Sequence, residues 1–169
     1  MNKLTIFIDM DGVLCNFDKA AQEMKEKLPF ETELKPSATY ESSDKGFKFD
    51  EALDFSTFEP MTGAIEAVQS LIDMGHDLFI ATTPPWNHPD AWGQKRNWIE
   101  KHFPTLKRKM FLTHRKDLLI GDILIDDSTY RGQRDFQGEF MHFGQDGMGW
   151  LYVVETIRTM TNMLKLKNL

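Results

Sequence analysis

Apolar residues along this chain come in two rhythms, and the alternation between them predicts the fold. Residues 4–8 (LTIFI), 76–82 (HDLFIAT) and 121–127 (GDILIDD) are short runs rich in β-branched and aromatic side chains. They lack polar alternation, which is how a strand covered on both faces reads. Residues 109–113 (KMFLT) and 139–144 (EFMHFG) are weaker runs of the same kind. Between these runs the spacing turns helical. In residues 63–75, GAIEAVQSLIDMG, the pattern puts Ile65, Val68, Leu71 and Ile72 on one face, with Gly75 as the C-terminal stop. Residues 90–103 begin at an aspartate behind a proline and bring Trp98, Ile99 and Phe103 together, so Trp98 and Phe103 belong in the core. Residues 150–166, WLYVVETIRTMTNMLKL, again repeat apolar positions at helical spacing. Strand and helix in turn predict an α/β fold, a doubly wound parallel sheet with helices on both faces.

Residues 15–60 break the rhythm. They hold charges, aromatics, Pro29 and Pro36 without a sustained period, and they are too long for a simple connection. The expectation is a core made of residues 1–14 and 61–169, with a small, mostly helical cap inserted at 15–60 after the first strand. Composition narrows the setting. At 169 residues, 41% hydrophobic and 27% charged, the chain is one ordinary globular domain. A formal net charge of -6 argues against general nucleic-acid binding, while leaving room for one phosphate ester in a locally positive pocket. The single cysteine, Cys15, precludes an internal disulfide and fits a reducing compartment. The first apolar run is too short for a secretory signal, and no stretch reaches the roughly 18 apolar residues of a membrane span. The expected location is cytoplasmic, without membrane contact.

Three of the strong runs end in polar residues: Asp9 with Asp11, Thr82 with Thr83, and Asp126 with Asp127. In open α/β sheets ligands bind beyond the carboxyl ends of the strands, so these residues converge on one crevice. Four carboxylates there would repel unless a divalent cation sat among them, and an oxygen-only set with few protein ligands suits Mg2+. Hydroxyls at Thr82 and Thr83, backbone N–H groups around Met10 to Gly12, and Lys116 could hold the oxygens of a phosphoryl group.

With these residues in place, the chain resembles a known family. Asp9-Met10-Asp11-Gly12-Val13 resembles the DxDx(T/V) motif of the haloacid dehalogenase superfamily of phosphatases. Thr82 matches its second motif, Lys116 its third, and Asp126-Asp127 its acidic fourth, in order and over most of the chain. Within the superfamily the chain is most similar to the 5'(3')-deoxyribonucleotidases, through "DMDGVL" with Phe17 soon after, "EP" and "GA" between Glu59 and Ala64, and "LTHRK" ahead of "GDILIDD". The resemblance implies a Rossmann-like core and a magnesium-dependent phosphatase of deoxyribonucleoside monophosphates. Asp9 is the implied nucleophile, forming an aspartyl-phosphate, and Asp11 the general acid and base. Asp11, Gly12, Thr82, Thr83 and Lys116 are the implied phosphate contacts. The implied metal ligands are Asp9, the Asp11 backbone carbonyl and Asp127, with Asp126 as second choice. Phe17 is expected in the substrate pocket, and a homodimer is one arrangement open to the chain. Arg115 stands where the family usually has an acidic residue, so it competes with Lys116 for the phosphate.

Plainer readings stand beside these. A calcium loop fails, because Gly12 falls at its fourth position and Ala20 replaces the closing glutamate. Cys15 reads as packing and His114 as a loop residue. Phe17, Tyr40, Phe47, Phe49 and Phe55 form either a satellite core under a lid or a base-stacking pocket. Residues 84–92, PPWNHPDAW, depart from the family and could reshape specificity. The competing functions are a phosphatase for another small ester or a nucleic acid 3'-phosphate, and a catalytically silent binding protein.

Overall fold

A computed structural model describes residues 3–27 and 53–167 of the chain. Five parallel strands form its sheet: β1 (Thr5–Ile8), β2 (Asp77–Thr82), β3 (Met110–Leu112), β4 (Ile123–Asp126) and β5 (Glu139–His142). Their spatial order is β3-β2-β1-β4-β5. The chain therefore runs outward from β1 through β2 to β3, crosses back, and continues through β4 to β5. The order reverses between β1 and β4, which pair with Ile8 opposite Ile125. The two weak apolar runs are the edge strands β3 and β5. Each has one neighbour and partial exposure, which explains their diluted signal.

Among the described residues, four α-helices accompany the sheet: α1 (Phe17–Lys27), α2 (Ala64–Asp73), α3 (Pro89–His102) and α4 (Trp150–Lys167). Side chains of α2, α3 and α4 pack on the face carrying Ile6, Ile8, Leu78, Ile80, Ile123 and Ile125. The opposite face carries Phe7, Ala81 and Leu124, closed by Leu119 and Phe136 from connections that contain 3-10 turns. Phe7 stands at its centre, with the rings of Phe79, Phe111 and Phe136 at 5.8, 5.7 and 6.3 Å. Gly121 permits this packing, since a Cβ there would lie 2.6 Å from the Phe7 ring. Trp98 and Phe103 are buried as expected. Ile65 is not: it stands 45% exposed, and the buried stripe of α2 runs through Ala64, Ala67, Val68 and Leu71. Those positions hold the i, i+3, i+4, i+7 spacing, and their small alanines let the helix approach the sheet.

Of the segment expected to form a cap, residues 28–52 lie outside the described residues, and with them Tyr40, Phe47 and Phe49. Its described parts are α1, capped by Asn16 Oδ1 accepting from the Lys19 N–H, and a 3-10 turn at Phe55–Thr57. Among the described residues, no helix is long and apolar enough to cross a membrane.

Candidate active site

The crevice opens at the carboxyl ends of β1 and β4, where strand order reverses, as the rule for open α/β sheets requires. Asp9 continues β1 by one residue: its N–H donates to the Ile125 carbonyl at 2.9 Å and fixes the side chain over the β1–β4 seam. A tight loop follows, in which the N–H groups of Leu14 and Cys15 both donate to the Met10 carbonyl. Trp150 Nε1 pins that loop through the Val13 carbonyl at 3.0 Å. Gly12 has φ +72, and a Cβ on it would sit 2.0 Å from Asp127 Oδ2. Any side chain at position 12 would displace that carboxylate. The glycine thus brings the β1 loop and the end of β4 together. Carboxylate oxygens of Asp9, Asp126 and Asp127 lie within 4.8 Å of one another.

Two fully buried lysines face the aspartates. Lys116, 1% exposed, lies 2.8 Å from Asp9 Oδ1 and also pairs with Asp126. Burial alone would lower its pKa, but the charges of Asp9 and Asp126 outweigh that and the net shift is upward. Asp126 has further donors in the Ser128 N–H at 2.9 Å and Gln133 Nε2 at 3.2 Å. Burial and the Asp9 charge push its carboxyl up to about 6, against the opposing pull of Lys116.

The second lysine, Lys95, is one the sequence reading did not single out. It is fully buried, pairs with Asp11, and reaches Thr82 Oγ1 at 3.2 Å. Its ammonium also lies 4.4 Å above the Phe55 ring. A signal was present in the helical pattern. Ala91, Lys95, Trp98 and Ile99 are the buried positions of α3, so the lysine interrupts an apolar stripe. A cation on such a stripe has to meet a buried anion.

The two threonines divide. Thr82 is buried beneath Asp11 and serves Lys95, whereas Thr83 lines the crevice and donates its hydroxyl to the Thr113 carbonyl at 2.7 Å. Arg115 turns away into an ion pair with Asp117, leaving Lys116 on the crevice wall. Phe17 and Phe55 both line the cavity, whose volume is about 360 Å³. Phe55 is held from α3 by Gln94 Oε1, which accepts from its N–H at 3.1 Å. Cys15 is buried 3.6 Å from Asp11 Oδ1, and burial with the Asp11 charge raises its thiol well above the ordinary range. A thiol so disposed is a packing group and weak donor.

The carboxylates fit a divalent cation. Oxygens from Asp9 and Asp127 form a hard donor set of the kind magnesium prefers. Asp126 already accepts from Lys116, Ser128 and Gln133, which leaves Asp127 the better placed of the two for a metal. Asp127 is pushed up to about 8, by the protein packed round its carboxyl and by the charges of Asp9, Asp126 and Asp11. The residue nonetheless keeps solvent access at the crevice mouth.

Comparison with known proteins places the chain among nucleotidases. The family model described as 5' nucleotidase, deoxy (pyrimidine), cytosolic type C protein matches residues 2–147. A provisionally named 5'(3')-deoxyribonucleotidase of Vibrio phage KVP40 is 31% identical over 163 residues, covering 95% of this chain and 88% of that protein. The cytosolic-type 5'(3')-deoxyribonucleotidase of Homo sapiens is 30% identical over 157 residues, with 77% of this chain and 74% of its own length covered. A mitochondrial 5'(3')-deoxyribonucleotidase of Mus musculus is 31% identical over 145 residues, covering 73% of this chain and 64% of its own.

Proposed function

The chain belongs to the deoxy (pyrimidine) 5' nucleotidase, cytosolic type C family, and from that membership and its crevice we propose that it is a magnesium-dependent 5'(3')-deoxyribonucleotidase. The observation that carries the proposal is the pairing of each of the two aspartates after β1 with its own buried lysine, Asp9 with Lys116 and Asp11 with Lys95. Two carboxylates two residues apart are thereby given separate surroundings, as separate chemical roles require.

In this reading Asp9 is the nucleophile. Its carboxylate attacks the phosphorus in line, the ester P–O bond breaks, and an aspartyl-phosphate forms. Asp11 protonates the departing deoxyribose oxygen, then takes a proton from the water that hydrolyses the intermediate. Lys95 and Thr82 hold Asp11 in place for both steps. Lys116 supplies positive charge beside Asp9 and the equatorial phosphoryl oxygens. The Gly12 N–H is already donated to the Cys15 carbonyl at 3.0 Å, so the glycine's part is to admit Asp127. The Asp11 N–H is the donor assigned to the phosphate; the Thr83 hydroxyl, whose proton goes to the Thr113 carbonyl, lines the crevice beside it. Asp9, the Asp11 carbonyl and Asp127 would hold Mg2+, which offsets charge between nucleophile and phosphate when bound. Phe17 and Phe55 offer aromatic faces to the base. The substrate is a nucleoside monophosphate, and the proposed setting is the cytoplasm.

Steady-state kinetics on dUMP, dTMP, UMP and a sugar phosphate, with and without Mg2+, test the assignment. Deoxyribonucleotides should be preferred, because a 2'-hydroxyl buried without a partner costs about 1–3 kcal/mol. Asp9→Asn should abolish turnover, since a neutral amide cannot attack phosphorus. A tenth of normal activity surviving in Asp9→Asn would refute the covalent route, and a sugar phosphate hydrolysed best would refute the substrate class alone.

A further inference from the structure

Residues 84–92 take no part in the chemistry above, yet they put a tryptophan in solvent. Trp86 is 69% exposed. Its ring lies edge-on to Trp92 at 6.4 Å and to His114 at 5.7 Å, and Trp92 and His114 are themselves 6.4 Å apart. The three rings pack at 68°, 73° and 42° to one another, a shelf whose exposed face is that of Trp86. Its supports are fixed at both ends: the Thr83 hydroxyl donates to the Thr113 carbonyl, and His88 Nε2 lies 2.8 Å from the Leu53 carbonyl. Pro84 and Pro85 further restrict the backbone between them. A large aromatic surface held rigid in water is poised for a flat partner.

The shelf adjoins the crevice without belonging to it. Pro85 and His114 line the cavity, whereas Trp86 and Trp92 do not. The cavity itself, about 360 Å³ and walled by Phe17 and Phe55, is at the small end of ligand sites and suits one nucleotide. The next planar group along a substrate would leave the cavity past Pro85 and His114 and meet Trp86.

We propose that Trp86 stacks the second base of a short oligodeoxynucleotide whose terminal phosphate is removed in the crevice, an activity that rests on the phosphatase reading above. The terminal nucleotide occupies the cavity and its neighbour lies on the shelf. The chemistry is unchanged: the P–O bond to the terminal sugar breaks as the Asp9–phosphorus bond forms. Asp11 protonates the sugar oxygen, and water then releases inorganic phosphate. Stacking accepts any base, so the extended substrate is chosen by length rather than sequence. A formal net charge of -6 disfavours association with a long strand, which limits the preference to short ones.

The test compares kcat/KM for dTMP, for 5'-phosphorylated and 3'-phosphorylated thymidine dinucleotides, and for p-nitrophenyl phosphate in the full chain. At least one dinucleotide should lose its terminal phosphate. Trp86→Ala should lower its kcat/KM about 10- to 100-fold and leave dTMP within about twofold, and Trp86→Phe should restore most of the loss. Both dinucleotides left intact while dTMP is hydrolysed would overturn the proposal and spare the nucleotidase reading. Equal losses on dTMP and the dinucleotide also overturn it, assigning Trp86 to the mononucleotide pocket. Failure of p-nitrophenyl phosphate and dTMP alike overturns both readings.

Discussion

The two ends of the central strands bury polar groups on opposite terms. At the amino end, His76 Nδ1 accepts the Leu4 N–H at 3.3 Å and Nε2 faces Thr161 Oγ1 at 3.1 Å, while that hydroxyl donates to the Ile157 carbonyl at 2.7 Å. Nearby, Asp77 is held below the usual carboxylate range by hydrogen bonding from Lys109 and Lys3. Donors and acceptors there close on one another. At the carboxyl end, the four carboxylates of Asp9, Asp11, Asp126 and Asp127 gather around the two buried lysines Lys95 and Lys116, and Asp127 is pushed up to about 8. A satisfied network stabilises; a network with surplus like charge is retained for what it binds. Substitutions should therefore separate the two ends: lost activity without lost stability at one, lost stability without lost activity at the other.

After the loss of the nucleophile itself, the largest effect is expected at Lys95. Lys95→Met removes the cation beneath Asp11 while keeping the length of the side chain. If Lys95 orients the acid and base, kcat should fall by about 10²–10⁴-fold, the range of general acid–base catalysis. KM should change little, because the phosphate contacts are on other residues. A large KM change with normal kcat would make Lys95 a binding residue instead.

Asp127→Asn should act next, and in two directions. Magnesium affinity should drop by at least about tenfold, comparable to the loss of a metal-site partner. In chelator the variant should be more stable than the parent. A carboxyl whose folded-state pKa is raised contributes stability that is present in acid. That stability is lost as the pH climbs from the unfolded value near 3.9 to about 8. The gain in Tm should thus be greatest above pH 8 and small in acid. For the parent, magnesium must displace that proton, so its affinity should rise with pH through the same range. A pH-independent magnesium titration would remove Asp127 from the ligand set.

How much of this was legible depended on whether partners were neighbours in sequence. The aspartate pairs and Thr82 sit at the ends of apolar runs, so topology alone gathers them, while Lys116 stood out by matching the family's third motif. The strong strands were plain for the same reason, while β3 was faint because only Met110, Phe111 and Leu112 form it, at an edge. The division of labour between Thr82 and Thr83 was not visible, since it depends on which way each side chain leaves the strand end. Lys95 was hidden by distance: its partner Asp11 lies 84 residues away, and the one local signal was a lysine interrupting an apolar stripe. Gln133 was hidden in a similar way, in a turn with no period, though it is buried and braces Asp126. The rim cluster around Trp86 was legible only as a departure from the family pattern. The aromatics at 40, 47 and 49 lie outside the described residues.

The smallest effect concerns the amino end and should leave catalysis alone. Thr161 gives its hydroxyl proton to Ile157, so His76 Nε2 carries the proton toward Thr161, and Nδ1 is free to accept the Leu4 N–H. Only the neutral ring can do both. Burial lowers the His76 pKa, Lys165 lowers it further, and Asp122 opposes them. Because the folded-state value lies below the unfolded value of about 6.5, the unfolded chain binds the proton more readily. The stability His76 contributes is therefore complete above about pH 6.5 and is lost as the pH falls through the lower, folded-state value. His76→Leu fills the space but leaves the Leu4 N–H without its acceptor, at a cost of about 1–3 kcal/mol. Chemical denaturation at pH 7.5 should show that loss, and the gap between parent and variant should narrow at pH 5. Turnover of dTMP at low temperature should be the same for both, since His76 is at the far end of the sheet from the crevice. A gap that widened toward pH 5 would mean that the folded protein prefers the charged ring, and the neutral network drawn from these hydrogen bonds would be wrong.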